Sequence, residues 1–209
     1  MPNQLPRTLG AVLLAGGRSS RMGQNKALLQ WQGKSFLENI TERLSQVVDH
    51  IVVVGNDRQN AMQLPLVSLN SVAWAKDEQE DAGPLEGIRV GLRELVPKCN
   101  LAFVTSCDVP LLKPAIVTKL LDALGDQHSI VPVDRNGRVY GMSAIYDTRF
   151  HHELASLIKA RQLRVSELAK HLGSRTIDLE YFRDVDPQLD SFRNINSISD
   201  YEQMIRERT

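Results

Sequence analysis

Short apolar runs alternate with amphipathic stretches along the first 125 residues. Leu9–Ala15 (LGAVLLA) is a continuous apolar run ending at Gly16-Gly17, the pattern of a strand buried on both faces. Phe36, Leu37, Ile40 and Leu44 then fall on one helical stripe. Ser35 stands before it with Glu38 three residues on, so the pattern predicts a helix over 35–47 opened by a capping box. HIVVVGND (50–57) predicts a second buried strand. A short helix near 59–63 and a third strand near 67–74 follow. Gly83-Pro84 opens a helix over 85–95, with Pro97 just beyond its end. NLAFVTS (100–106) predicts a fourth strand, and Lys113–Leu124 a helix with Pro114 in its first turn.

Beyond residue 125 the rhythm changes. Ser129–Val133 and Val139–Tyr146 read as two strands around an Asn136-Gly137 turn. Residues 148–172 read as helical with a break near Gln162. A strand at Arg175–Leu179, an extended piece at Phe192–Ile195 and a helix from Ser199 complete the chain. Strands that alternate with helices form a parallel sheet covered on both faces, a three-layer α/β, Rossmann-like arrangement. The late strand pair makes that sheet mostly parallel with one antiparallel strand. No repeat, low-complexity segment or Pro/Ser-rich linker interrupts the pattern, so residues 1–209 are expected to form a single domain.

Composition narrows the function classes. Lys+Arg and Asp+Glu are both 25, a formal net charge of zero, whereas a nucleic-acid binder usually carries a basic excess. No run reaches the roughly 18 apolar residues of a membrane span. The opening MPNQLPRTLG lacks the order of a secretory signal, so a cytoplasmic protein is expected. Cys99 and Cys107 form no CxxC and read as two reduced thiols. His50, His128, His151, His152 and His171 suggest no shared site, and Trp31 and Trp74 read as packing residues.

The least generic stretch is LAGGRSSRMGQNKALL, residues 14–29. In open α/β sheets, ligands sit off the carboxyl ends of the strands, which is where this loop begins. Gly16 and Gly17 allow positive φ and close approach of the backbone to a ligand. Successive free amides there would form an anion-binding concavity, and Arg21 and Lys26 add charge suited to a polyphosphate. The spacing matches neither a Walker A loop nor the GxGxxG of dinucleotide folds. Asp108 follows the fourth strand and shares that carboxyl edge. It suits magnesium, which takes one or two protein carboxylates and completes its shell with phosphates and water; a turn or capping role before Pro110 is the alternative. Asn194 and Asn196 alternate on an extended segment and so point to one face. Their carboxamides can ligate metal or donate to phosphate.

The order L-A-G-G-x-S-x-R-M-G-x-x-K, followed by DAGPLEGI (81–88), TSCDVPLL (105–112) and FRNINSISDYEQM (192–204), resembles the molybdenum cofactor guanylyltransferase family across most of the chain. The resemblance implies a nucleotidyltransferase fold like that of sugar-phosphate nucleotidyltransferases. It implies transfer of GMP from GTP to the terminal phosphate of molybdopterin, with Mg2+ and release of pyrophosphate. Arg21, Lys26 and Asp108 would then be catalytic, with Asp108 the metal ligand. Leu14, Ala15, Gly16, Gly17, Lys26, Asn56, Asp77 and Asp108 would bind the nucleotide. Gly83, Gly87, Asn194 and Asn196 would bind the second substrate. Transient contact with other cofactor-biosynthesis proteins and apo-molybdoenzymes is implied, and neither nucleic acid nor membrane is an expected partner.

One departure concerns the acceptor side, because Tyr140-Gly141 stands where many relatives carry His-Pro or Gln-Pro. Two other readings compete with GMP transfer. A related enzyme would move CMP to molybdopterin or a nucleotide to a sugar phosphate; Leu-Ala-Gly-Gly and Cys-Asp-Val-Pro speak for GTP. A non-catalytic nucleotide-binding protein that handles the cofactor would not need Arg21, Lys26 and Asp108 together.

Overall fold

The computed structural model describes residues 7–15, 26–55, 72–79 and 82–208. β1 (Leu9–Leu14) is the apolar run before the glycine loop, and all six residues are buried. Its side chains alternate between two cores. Leu9, Ala11 and Leu13 enter one, and Val12 and Leu14 enter the other. That is why the run is apolar throughout rather than alternating.

Parallel partners flank β1 on both sides: β4 (His50–Val54) and β6 (Leu101–Ser106). β5 (Val72–Ala75) extends the sheet beyond β4. On the other side come β8 (Ala144–Asp147), β7 (Ser129–Val133) and β9 (Arg175–Asp178). The order is β5-β4-β1-β6-β8-β7-β9. β8 is antiparallel to both β6 and β7, while β7 and β9 run parallel. Six of the seven strands therefore point one way and β8 the other, as expected of a mostly parallel sheet with one antiparallel strand.

Helices cover both faces. α1 (Phe36–Leu44) and α3 (Pro114–Leu124) send Leu37, Ile40, Leu44, Ile116, Val117 and Leu120 into the core that holds Leu13. α2 (Pro84–Leu95), α4 (His151–Lys159) and α5 (Val165–His171) send Leu85, Ile88, Leu154, Ile158 and Leu168 into the core that holds Val12. The start of α1 is the capping box read from sequence. Ser35 Oγ accepts from the Glu38 amide at 3.1 Å, and Glu38 Oε2 accepts from the Ser35 amide at 2.7 Å.

Three elements depart from the sequence pattern. A two-stranded hairpin, β2 (Gln30–Trp31) and β3 (Lys34–Ser35), fills the gap before α1. Its turn places Gln32 at φ 51° and Gly33 at φ 77°, the mirror-image turn that short hairpins favour. Residues 139–143, expected as strand, form a turn joined to β7 by a Val133–Val139 bridge. Gly141 lets that turn close on α5, since a Cβ there would lie 2.7 Å from Val165 Cγ1. The chain at 192–195 leaves a single helical turn, Asp190–Phe192, before α6 (Ile198–Arg208). The break expected near Gln162 is present between α4 and α5, while the helix expected at 59–63 and the first part of the strand at 67–74 fall outside the described residues.

Candidate active site at the carboxyl edge of the sheet

From β1 the chain crosses to β4 on one side, and β6 lies on the other, so the strand order reverses direction there. This is where open α/β sheets hold their ligands. The register pairs Leu14 with both Val54 and Ser106. The Ala15 amide donates to Val54 O at 2.8 Å and the Cys107 amide to Leu14 O at 2.9 Å. The carboxyl ends of β1 and β6 therefore lie side by side.

Asp108 is half-buried on the β6 side of this edge. Its carboxylate accepts from the Ser106 hydroxyl and, at 3.3 Å, from Asn194 Nδ2. Its backbone carbonyl accepts from the Ile195 amide at 2.7 Å. The tail is thus pinned at Asp108, and the next residue reaches the other charge. Lys26 Nζ donates to Asn196 Oδ1 at 2.9 Å. Among the described residues, the partner of that ammonium is a neutral carboxamide, which orients the charge without cancelling it. Both charges act on the buried Cys107 thiol. Burial pushes Cys107 up to about 12, the Asp108 carboxylate adds to the rise, and the Lys26 ammonium opposes it. Lys26 starts a helical turn, Lys26–Leu28, anchored by the buried Ala27.

Asp77 stands after β5. Burial raises its carboxyl above the usual range, and the nearby Glu86 charge raises it further. Its Oδ1 is buried without a hydrogen-bond partner among the described residues. The loop that carries it is tied to α2 by ion pairs. Arg89 Nη2 donates to Glu86 Oε1 at 2.8 Å and to Glu78 Oε2 at 2.6 Å. Arg93 reaches Glu78 Oε1 at 2.8 Å, and Glu86 accepts from the Glu78 amide at 3.2 Å. Held by Arg93 and Arg89, the Glu78 carboxyl falls to about 2.

The two candidate glycines, one before α2 and one within it, play different parts. Gly87 lies against the end of β1: a Cβ there would sit 2.8 Å from Leu14 Cδ2 and 3.5 Å from Asp77 Oδ1. Gly83 is exposed at φ 65° and, among the described residues, has open space where a Cβ would lie, so it serves the turn into α2. The edge therefore brings together Leu14, Ala15, Lys26, Asp108, Asn194 and Asn196, with Asp77 beside Gly87. Gly16, Gly17, Arg21 and Asn56 lie outside the described residues.

The donors fit magnesium. Asp108 and Ser106 offer oxygen atoms, the donor type of a hard cation that takes much of its shell from phosphate and water, while Asn194 turns its Nδ2 to Asp108 and Asn196 Oδ1 is taken by Lys26. Two contributors escaped the sequence pattern. Ser106 shows there as a strand end within TSCDVPLL, with nothing to mark its hydroxyl as a partner of Asp108. Arg89 shows only as a charge on an amphipathic helix; of its acidic partners, Glu86 lies in DAGPLEGI and Glu78 in no motif.

The family described as MobA-like NTP transferase domain matches residues 11–175 of this chain. A probable molybdenum cofactor guanylyltransferase of Methanosarcina acetivorans is 33% identical over 208 residues, covering 95% of this chain and 91% of the relative. Its counterpart in Methanosarcina mazei is 31% identical over 201 residues, covering 93% and 89%. In three dimensions the fold is similar to molybdopterin-guanine dinucleotide biosynthesis protein A from Archaeoglobus fulgidus, with a TM-score of 0.77 over 97% of this chain and 100% of that one at 23% identity.

Proposed function

The chain belongs to the MobA-like NTP transferase family, and from that premise we propose that it transfers GMP from GTP to the terminal phosphate of molybdopterin. The products are the guanine dinucleotide form of the cofactor and pyrophosphate. The observation that carries this reading is the tail segment 194–196, which holds Asp108 with one asparagine and Lys26 with the next. A carboxylate and a cation are thereby fixed at the strand ends where a triphosphate would lie. The names of the curated relatives support the choice of guanylyl transfer.

In the proposed reaction a bond forms between an acceptor phosphate oxygen and the α-phosphorus of GTP. The bond from that phosphorus to the β-phosphate oxygen breaks, and pyrophosphate leaves with the electron pair. The nucleophile is already ionised at neutral pH, so no side chain has to remove a proton. Catalysis then rests on positioning and on neutralising charge. Lys26 serves the α-phosphate and the departing pyrophosphate as a compact point charge. Asp108 would hold magnesium, which when bound neutralises negative charge on the phosphates. Asn194 keeps the Asp108 carboxylate in place, and Asn196 does the same for Lys26. Arg21 and the Gly16-Gly17 amides would grip the rest of the triphosphate, with Asn56 and Asp77 on the nucleoside side. Gly83 and Gly87 would border the acceptor. On this reading residues 1–209 act as one domain in the cytoplasm, with transient contact to proteins that supply or take up the cofactor.

Pyrophosphate release from GTP, CTP, ATP and UTP, each with Mg2+ and with or without molybdopterin, tests this. Release from GTP that depends on both Mg2+ and molybdopterin is expected. Preference for CTP would make the chain a cytidylyltransferase. Nucleotide binding without release would make it a cofactor-handling protein.

A further inference from the structure

We propose that the C-terminal helix α6 is a clamp that sets Lys26 against Asp108, with Tyr201 and Met204 as its positioning residues. The inference rests on the transferase reading only for the roles of those two charges; the clamp itself is a matter of packing.

The helix carries a narrow apolar stripe, Tyr201, Met204 and Ile205, spaced i, i+3, i+4. This stripe enters neither of the two cores that flank the sheet. It forms a third cluster in which Met204 is fully buried with Trp31, Phe36, Leu111 and Ile195, and Leu29 packs at its border. Apart from Phe36 at the start of α1, those residues come from three segments, each joined to the site. Leu29 and Trp31 lie at the entry to and in the hairpin strand that follows Lys26, and the Leu29 amide donates back to Lys26 O at 3.2 Å. Leu111 lies on the loop after β6, three residues beyond Asp108. Ile195 lies between the two asparagines, and its amide is bound to Asp108 O. One small cluster thus joins the lysine side, the aspartate side and the tail.

Polar contacts fix its register. Tyr201 Oη donates to Gln30 O at 2.6 Å, and its ring meets Phe36 with centroids 5.9 Å apart. Asp200 Oδ2 accepts from the amides of Asn196 and Ser197 at 2.9 and 2.8 Å, so the backbone of Asn196 is part of the helix cap. At the far end, Glu207 pairs with Arg193 at 2.5 Å and Arg208 with Asp190, folding the helix back on its own entry. A helix seated this way holds Asn196 at one setting relative to the hairpin. Loss of the seat lets Asn196 drift and frees the Lys26 ammonium.

Pulse labelling with an amine-reactive ester, read at each lysine by peptide mass spectrometry, tests the clamp without relying on catalysis. In Tyr201→Phe and in Met204→Ala, Lys26 is expected to label several-fold faster than in the wild-type chain. Lys119, held by Asp184 and the Tyr181 carbonyl in another part of the fold, is expected to label at the wild-type rate. Tyr201→Phe keeps the ring and removes one hydroxyl, so it decides the question if Met204→Ala does not fold. A Lys26 rate equal to wild type in Tyr201→Phe overturns the proposal. A turnover cycle gives a second readout. Tyr201→Phe added to Asn196→Ala should lower kcat no further than Asn196→Ala alone, and fully additive losses overturn the clamp. If the wild-type chain releases no pyrophosphate while Lys26 labelling rises as expected, the clamp stands and the transferase reading falls.

Discussion

Lys26 Nζ donates to Asn196 Oδ1 at 2.9 Å, a bond that spans 170 positions of sequence. It joins the cation after the glycine loop to the tail that also grips Asp108. Removing the ammonium in Lys26→Ala should lower turnover with GTP and molybdopterin by about 10²–10³-fold, the usual scale for one preorganised charge contact. The residue is half-buried in a short turn, so circular dichroism and the unfolding midpoint should stay close to wild type. Lys26→Arg should recover only part of the rate, because a planar fork does not replace a point charge. A normal rate in Lys26→Ala removes this residue from the mechanism.

Asp77 should show the opposite balance. The residue is half-buried, its Oδ1 is buried without a partner among the described residues, and the Glu86 charge adds to the effect of burial, so its ionised form costs stability in the folded chain. A raised folded pKa means this cost applies at neutral pH and disappears as pH falls through that value. Asp77→Asn is therefore expected to raise the unfolding midpoint at pH 7 by about 2 °C, the effect of roughly 1 kcal/mol in a chain of this size, while lowering turnover. A lower midpoint in the variant contradicts the electrostatic account of this residue.

Gly91 sits where α2 crosses β1. A Cβ there would lie 2.3 Å from Val12 Cγ1, and neither helix nor strand can yield without disturbing its core. Gly91→Ala should destabilise the chain by about 1–3 kcal/mol, read as a lower denaturant midpoint with an unchanged slope. Because Gly87 abuts Leu14 one turn earlier on the same helix, the variant should also weaken nucleotide binding, measured by titration calorimetry.

The loop that carries Asp77 should loosen in acid. Glu78 falls from the ordinary 4.5 to about 2 when folded, held by Arg93 and Arg89. Folding therefore favours its ionised form. That contribution is fully present above about 4.5 and is lost as pH falls toward about 2. The side chain is half-exposed, so solvent screening keeps the effect to about 1 kcal/mol or less. Glu78→Gln should lower the unfolding midpoint at pH 7 slightly, and the gap from wild type should close by pH 2. A gap that is constant with pH would place the effect elsewhere.

Much of the layered sheet was legible because its signals are local. The unbroken apolar runs of β1, β4 and β6 reflect burial on two faces, and Ser35 with Glu38 marks the start of α1 by its spacing alone. The hairpin at Gln30–Ser35 was not legible. Each strand has only two residues, too few for a period to register, and its turn uses Gln-Gly rather than Asn-Gly. Residues 139–143 read as strand from Val139 and Tyr140, but the fit of Gly141 against Val165 overrides that propensity. At the site, the loop and Asp108 stand out by composition. The pairing of Lys26 with Asn196 does not, because no local pattern connects residues that far apart. The clamp is equally silent in the sequence, since three apolar residues on a polar helix look the same whether they seat it on a hairpin or on the main core.

The most direct measurement is a crystal structure grown with GTP and Mg2+. The triphosphate is expected over the end of β1, with Lys26 on its phosphates and the metal about 2.1 Å from an Asp108 oxygen, the usual magnesium–oxygen distance. A nucleotide lodged elsewhere, with Lys26 still on Asn196 and Asp108 away from any metal, would contradict the account.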